Sequence, residues 1–237
     1  MEPSVTRRKF VQAMGVGAGS AAGLAPLAAQ ASDGPKEAVK IVAVACSPRP
    51  GKTTAQALGI CLEAAKAVDP QRIETELIDL AEMEIPAYLA AGIPLKPGDQ
   101  DDFPDVAEKL SDRNVMAIVV GSPVYFRSPT ALCKAFIDRC FALRRGRFAL
   151  SDKVGGAVAV GGARNGGQEL TLQVIQSAMM CQEMIIVGDG RPTAHAGASV
   201  WNIGNDDISG DEIGVATLKN LGRRVAEVAL KREPSDA

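Results

Sequence analysis

From residue 38 onward, apolar runs recur along the chain at a regular spacing. Val39–Cys46, Val115–Gly121, Val154–Val160 and Met184–Gly188 are nearly continuous in apolar residues and glycine, as strands covered on both faces are. Arg72–Leu80, "RIETELIDL", instead alternates polar and apolar residues, the pattern of a strand with one wet face. Helical spacing of apolar residues between these runs predicts helices over about 53–68, 104–112, 129–143, 167–181 and 211–230. Five βα units make an α/β domain, a three-layer sandwich around a five-stranded parallel sheet. An alternating second strand belongs at an edge, which gives the order 2-1-3-4-5 and places a ligand outside the carboxyl ends of strands 1 and 3. This domain is expected over residues 38–230, with a tail at 231–237.

Helix starts carry their own signals. Thr53 with Gln56, and Ser209 with Glu212, have capping-box spacing, and Asp101 or Asp102 can cap the helix that begins near Pro104. "NDDISGDE" has the beginnings of a calcium loop, but the twelfth position from Asn205 is Ala216, where a bidentate Glu is needed. The segment is read as a helix cap.

The stretch "VAVACSPRPGKTT" leads a strand into Gly51-Lys52-Thr53, the ending of a nucleotide-binding P-loop. The glycine such a loop needs five positions before Gly51 is Cys46, and the strand "VMAIVVGSP" ends in Gly-Ser-Pro where a magnesium-binding Asp would stand. An NTPase is therefore disfavoured. What remains is a strand, a loop of small and hydroxyl residues and a helix N-terminus, an arrangement suited to an anion. Ser47, Thr53 and Thr54 can donate hydroxyl hydrogen bonds, and Arg49 or Lys52 can neutralise a phosphate. An ordinary helix start with exposed basic residues remains the alternative on this stretch alone.

Residues 1–31 read as a signal and not as part of the domain. They have a basic start, a Gly/Ala-rich apolar middle and an Ala29-Gln30-Ala31 ending, and Arg7-Arg8 followed by Lys9-Phe10 makes the signal the twin-arginine kind. Residues 32–37 form a short linker, and the expected address is periplasmic or otherwise exported through the twin-arginine machinery. That route carries folded proteins, often with a cofactor already loaded. The remaining chain has 23 basic and 27 acidic residues, a net charge near −4, which gives no support to nucleic-acid binding. Cys46, Cys61, Cys133, Cys140 and Cys181 form no C-x-x-C and lie in apolar contexts, so buried free thiols are expected.

Three loops should converge at the carboxyl edge of the sheet: "SPRPGKTT", "GSPVYFRSPT" and "GGARNGGQE". Pro123, Val124, Tyr125 and Phe126 offer backbone amides and an aromatic face, while Gly161, Gly162, Gly166 and Gly167 permit positive φ and close approach to a flat ligand.

In this order and spacing, "SPRPGKTTAQAL", "GSPVYFRSPTALCKAFIDR" and "GGARNGGQELTLQVI" resemble the NADPH-dependent FMN reductase and iron-sulfur flavoprotein branch of flavodoxin-like proteins, over nearly all of residues 38–230. The resemblance implies FMN, with its phosphate on Ser47, Arg49, Thr53 and Thr54 assisted by Lys52. Pro123, Val124, Tyr125 and Phe126 would border the isoalloxazine, and Gly161, Gly162, Arg164, Asn165 and Gly166 would close over its other edge. Since FMN carries hydride through its own N5, no side-chain catalyst is nominated. The iron-sulfur branch carries a cysteine cluster after strand 2, whereas "AEMEIPAYLAAGIPLKPGDQDDFP" has none, so no iron-sulfur cluster and no metal site is expected. Arg127 stands where the family usually has a small residue. The implied protein is an FMN-dependent, NAD(P)H-dependent oxidoreductase acting on a small acceptor such as a quinone or flavin, as a homodimer or homotetramer. An exported flavodoxin-like electron carrier is the alternative. Export would separate the enzyme from cytoplasmic NADPH, which leaves a quinol or redox protein open as donor. His195 and Trp201 are left without a role.

Overall fold

The computed structural model describes residues 38–145 and 148–232. The expected signal at 1–31, the linker at 32–37 and most of the tail lie outside the described residues.

Strand β1 (Val39–Ala45) lies inside the sheet, paired in parallel with β2 (Ile73–Asp79) on one side and β3 (Val115–Tyr125) on the other. Among the described residues β2 has no second partner, as its alternating sequence predicts. The second strand in from the other edge is β5 (Val154–Gly161), which pairs with β3 from Ala117↔Val154 to Pro123↔Val160. The fifth position is shared. β6 (Ile185–Ile186) runs beside Val154 and Gly155, and β7 (Ala198–Trp201) runs beside Val158 to Gly161. The expected order is thus present, with its last strand divided. The chain leaves the sheet between the two halves because the buried Asp189 carboxylate gathers the Thr193 hydroxyl and the His195 amide around itself.

Alternation along the strands builds two cores. Ile41, Ala43, Val119 and Val158 face α1 (Thr53–Lys66) and α6 (Glu212–Ala229), packing with Leu58, Cys61, Leu218, Leu221 and Val225. Val42, Val44, Ile118, Val120 and Ala159 face the opposite way, toward α2 (Phe103–Ser111), α3 (Ala131–Arg139), α4 (Phe141–Arg144) and α5 (Gln168–Met180). The layers follow from strand periodicity acting on apolar residues. Among the described helices none is long and apolar enough to cross a membrane.

Several local expectations change. The strand expected to end at Gly121 continues to Tyr125 and turns back into β4 (Ser128–Pro129), with Val124↔Pro129 and Tyr125↔Ser128 paired antiparallel. The helix expected over 129–143 breaks at Cys140 into α3 and α4. The capping boxes do not form. Thr53 is already helical and Lys52 precedes it without a side-chain cap, whereas α6 is capped by Asp211, which accepts from the Gly214 amide at 3.1 Å. Asp102 stands at the start of α2 without capping it, and Asp101 accepts from the Phe103 amide instead.

Candidate functional site

The first loop leaves β1 and enters α1 without closing off that helix. Ser47 is buried, and its hydroxyl accepts from the Arg49 amide at 3.1 Å, which folds the loop back on itself. Gly51 has φ +63 and its amide donates to Asp79 at the end of β2, at 2.9 Å. No side chain caps α1, so its first-turn amides keep their donor capacity. Thr53 and Thr54 are buried in that turn, and the Thr54 Oγ1, on a residue 1% exposed, has no hydrogen-bond partner among the described residues. An orphaned buried hydroxyl at an uncapped helix N-terminus is the donor set of an anion site.

The two cations of this loop are paired. Arg49 Nη1 lies 2.7 Å from Asp206 and Lys52 Nζ lies 3.3 Å from the same carboxylate. Arg49 first, with Lys52, holds the Asp206 carboxyl below the usual carboxylate range. Asp206 sits in the loop after β7, so that loop crosses the carboxyl edge to reach the first.

The second loop is the β3–β4 hairpin. Its turn residues, Phe126 and Arg127, have φ +48 and +63, a conformation that hairpin turns ordinarily give to Asn and Gly. The hairpin is fixed at its base: Ser122 Oγ accepts from the Thr130 amide, and the Thr130 hydroxyl donates to the Cys46 carbonyl at 2.7 Å. The first and second loops are thereby tied together. Phe126 is 104% exposed and Tyr125 half exposed, so the hairpin carries its aromatic rings outward.

The third loop follows β5. Positive φ occurs there at Asn165 (+60) and Gly167 (+116), and not at Gly161, Gly162 or Gly166 as the sequence suggests. Gly161 instead leaves room for Gln168, whose Nε2 donates to the Ala163 carbonyl at 2.7 Å. Arg164 lies over the Trp201 ring at 5.0 Å and 3.5 Å from Asp211. Asp211 is buried and also accepts from the Trp201 amide at 2.7 Å. Between this loop, α5 and β7 lies a cavity of about 270 Å³, lined among others by Arg127, Arg164, Ser199, Trp201 and Asp211.

All three loops, with Ser47, Arg49, Lys52, Thr53, Thr54, Pro123–Phe126 and Gly161–Gly166, stand at the edge of the sheet where the parallel strands β1, β3, β5 and β7 have their carboxyl ends. Asp79, Asp206 and Asp211 were not visible as site residues in the sequence. Only the fold brings these carboxylates to the loops, and no motif marks them. His195 lies elsewhere, with its Nδ1 3.4 Å from Asp189. Four cysteines are buried and free, while Cys181 is exposed against expectation because it caps the end of α5. Burial pushes the Cys46 thiol well up and Cys61 to about 12. Both thiols pack in the apolar cores, Cys61 in one and Cys46 in the other.

The NADPH-dependent FMN reductase family matches residues 39–198. The chain is 41% identical over 194 residues to an iron-sulfur flavoprotein of Methanocaldococcus jannaschii, covering 80% of this chain and 97% of that protein. It is 30% identical over 187 residues to an NAD(P)H dehydrogenase (quinone) of Caulobacter vibrioides, covering 71% of this chain and 85% of that protein. Among solved structures, a WrbA-like flavodoxin from Agrobacterium tumefaciens superposes with TM-score 0.60 at 20% identity, over 83% of this chain and 100% of that one. The fold is flavodoxin-like. The chain belongs to the NADPH-dependent FMN reductase family and is an FMN-dependent oxidoreductase.

Proposed function

We propose that the protein is an NAD(P)H-dependent quinone reductase that works through FMN held by the three loops. The observation that carries this reading is the uncapped start of α1 with the unpartnered Thr54 hydroxyl behind it, a cradle whose donors match a phosphate monoester. Ser47, Thr53, Thr54 and the α1 amides would hold the phosphate, with Arg49 and Lys52 supplying charge. Pro123 to Phe126 would border the ring system on one side, and Gly161, Gly162, Arg164, Asn165 and Gly166 on the other.

The chemistry FMN supplies when bound is two-electron hydride transfer. The protein contributes position, charge and exclusion of water. One NAD(P)H is oxidised, and the quinone gains two electrons and two protons, the second proton coming from solvent. A quinone acceptor is supported by the likeness to an NAD(P)H dehydrogenase (quinone).

Despite the kinship with iron-sulfur flavoproteins, we infer no iron-sulfur cluster. The segment after β2 contains no cysteine, and the described residues include no group of three or more His, Cys, Asp or Glu placed to hold a metal. Outward-facing Leu170, Val174 and Met180 on α5 support assembly into a homodimer or homotetramer. The twin-arginine pattern of residues 1–31 supports export to the periplasm.

Thr54→Val tests the site. Replacing an unsatisfied buried hydroxyl by an isosteric methyl leaves the flavin-free protein as stable or more so. Loss of a hydrogen bond to a charged phosphate weakens FMN binding roughly tenfold or more. Equal FMN affinity in the variant, measured by flavin fluorescence titration, would remove Thr54 from the site.

A further inference from the structure

The cavity beside the third loop is built for a ligand that the loops alone do not account for. Arg127 lines it and forms no ion pair among the described residues, whereas Arg164 is engaged by Asp211. The α5 N-terminus opens on the same cavity. Its N-cap is Gly167, no side chain caps it, and Gln168, Glu169 and Leu170 of its first turn line the wall. Two carboxylates are also present, but Asp211 is committed to the Trp201 and Gly214 amides and Arg164, and Glu169 lies in the first turn, where the helix dipole offsets its charge. A lining arginine without an ion-pair partner among the described residues and an uncapped helix start give this cavity the donors that an anion needs.

The lining also includes Trp201. Trp201 and the Arg164 guanidinium that covers its ring at 5.0 Å form one conjugated, cationic element of the lining. The volume of about 270 Å³ is at or below the small end of ligand pockets. It admits one or two fused rings and not a dinucleotide.

We propose that this cavity is an acceptor subsite for a small aromatic oxidant that carries an anionic group. Its ring lies beside the Trp201–Arg164 stack and its anion meets Arg127 and the α5 amides. The assignment rests on the FMN reading, because Arg164 and Asn165 belong both to the cavity wall and to the loop that would border the flavin. It adds to that reading a selection for charged over neutral quinones.

The test compares naphthoquinone sulfonate with uncharged menadione in the FMN-loaded full chain. Arg127→Gln is expected to raise KM for the sulfonate about tenfold, the scale of one lost hydrogen bond to a charged group. KM for menadione, kcat and FMN content should be unchanged. An equal change for both quinones, or none for either, overturns the proposal. Binding is read independently of turnover through Trp201, the chain's one tryptophan. Its emission, corrected for quinone absorbance, should be saturably quenched by the sulfonate in wild type and much more weakly in Arg127→Gln. Quenching of the same strength in both proteins also overturns the proposal. If the protein binds no FMN and the Arg127-dependent quenching persists, the flavin reading fails while the anion subsite stands.

Discussion

Gly167 lies directly beneath Arg127: a Cβ at Gly167 would stand 2.5 Å from the Arg127 Cα, and Gly167 itself has φ +116. The strained hairpin turn therefore rests on the start of α5 through a backbone contact that only glycine allows. Gly167→Ala is expected to cost about 2–4 kcal/mol, combining a forbidden conformation with overpacking. Urea unfolding measures it, and a change below about 0.5 kcal/mol would show that the hairpin moves freely off the helix.

The turn itself stores strain at Phe126 and Arg127. Replacing the pair by Asn-Gly relieves two positive-φ positions and is expected to stabilise the protein by about 1–2 kcal/mol. The same change removes Arg127 from the cavity. Greater stability together with lost preference for an anionic quinone is the expected result, checked by thermal unfolding and by the quinone comparison.

Asp206 competes for the cations of the phosphate loop. Asp206→Asn frees Arg49 and Lys52 and is expected to tighten FMN binding by no more than about fivefold, the range of exposed ion pairs. The gain should fade at high salt. FMN titrations at two ionic strengths read both effects.

Arg139 anchors the segment between β2 and α2. It pairs with Asp101 through two bonds of 2.7 and 2.8 Å, and its guanidinium stacks 4.7 Å over Phe103. The pair holds the Asp101 carboxyl below the usual range. Its stabilisation is complete above the unfolded value of about 4 and is lost as pH falls through the folded value. Arg139→Met is expected to cost roughly 2–3 kcal/mol near neutral pH and progressively less as pH falls below about 4. A deficit independent of pH in denaturant unfolding would assign the loss to packing alone.

Lys153 gives a pH response of opposite sense. Its ammonium donates to the Asp112 and Val115 carbonyls at 2.7 Å each, and burial pushes it down from 10.5 to about 8. Between those values the unfolded chain holds a proton that the folded chain has released, so this residue's contribution to stability rises with pH. Wild type should gain on Lys153→Met between about pH 8 and 10. A constant gap across that window would mean that Lys153 stays charged when folded.

The periodicity of apolar residues carried most of the architecture, since both helical layers and the edge position of β2 follow from which residues must be covered. The divided fifth strand escaped because "ASVW" is short and follows an eleven-residue excursion in which Thr193 and His195 gather on Asp189, a side-chain arrangement that leaves no periodic trace. The loop motifs marked Ser47, Thr53, Thr54 and the β3 turn. Trp201 reaches the site as the last residue of β7, and Asp206 and Asp211 through the loop that follows it, a crossing that no local pattern encodes. The Ser209–Glu212 capping box gave way to Asp211, and the Thr53–Gln56 box to the helix itself. Thr53 and Thr54 are drawn into the helix and buried, which leaves the helix start open for a ligand.

An anaerobic titration tests the central claim most directly. The full chain loaded with FMN is reduced with NADPH and then reoxidised with naphthoquinone sulfonate, while flavin absorbance is followed. Bleaching complete at one NADPH per flavin in a single two-electron step, and stoichiometric recovery on adding quinone, is the expected result. Failure of NADPH to bleach a bound flavin, or of the protein to retain flavin at all, would contradict the account.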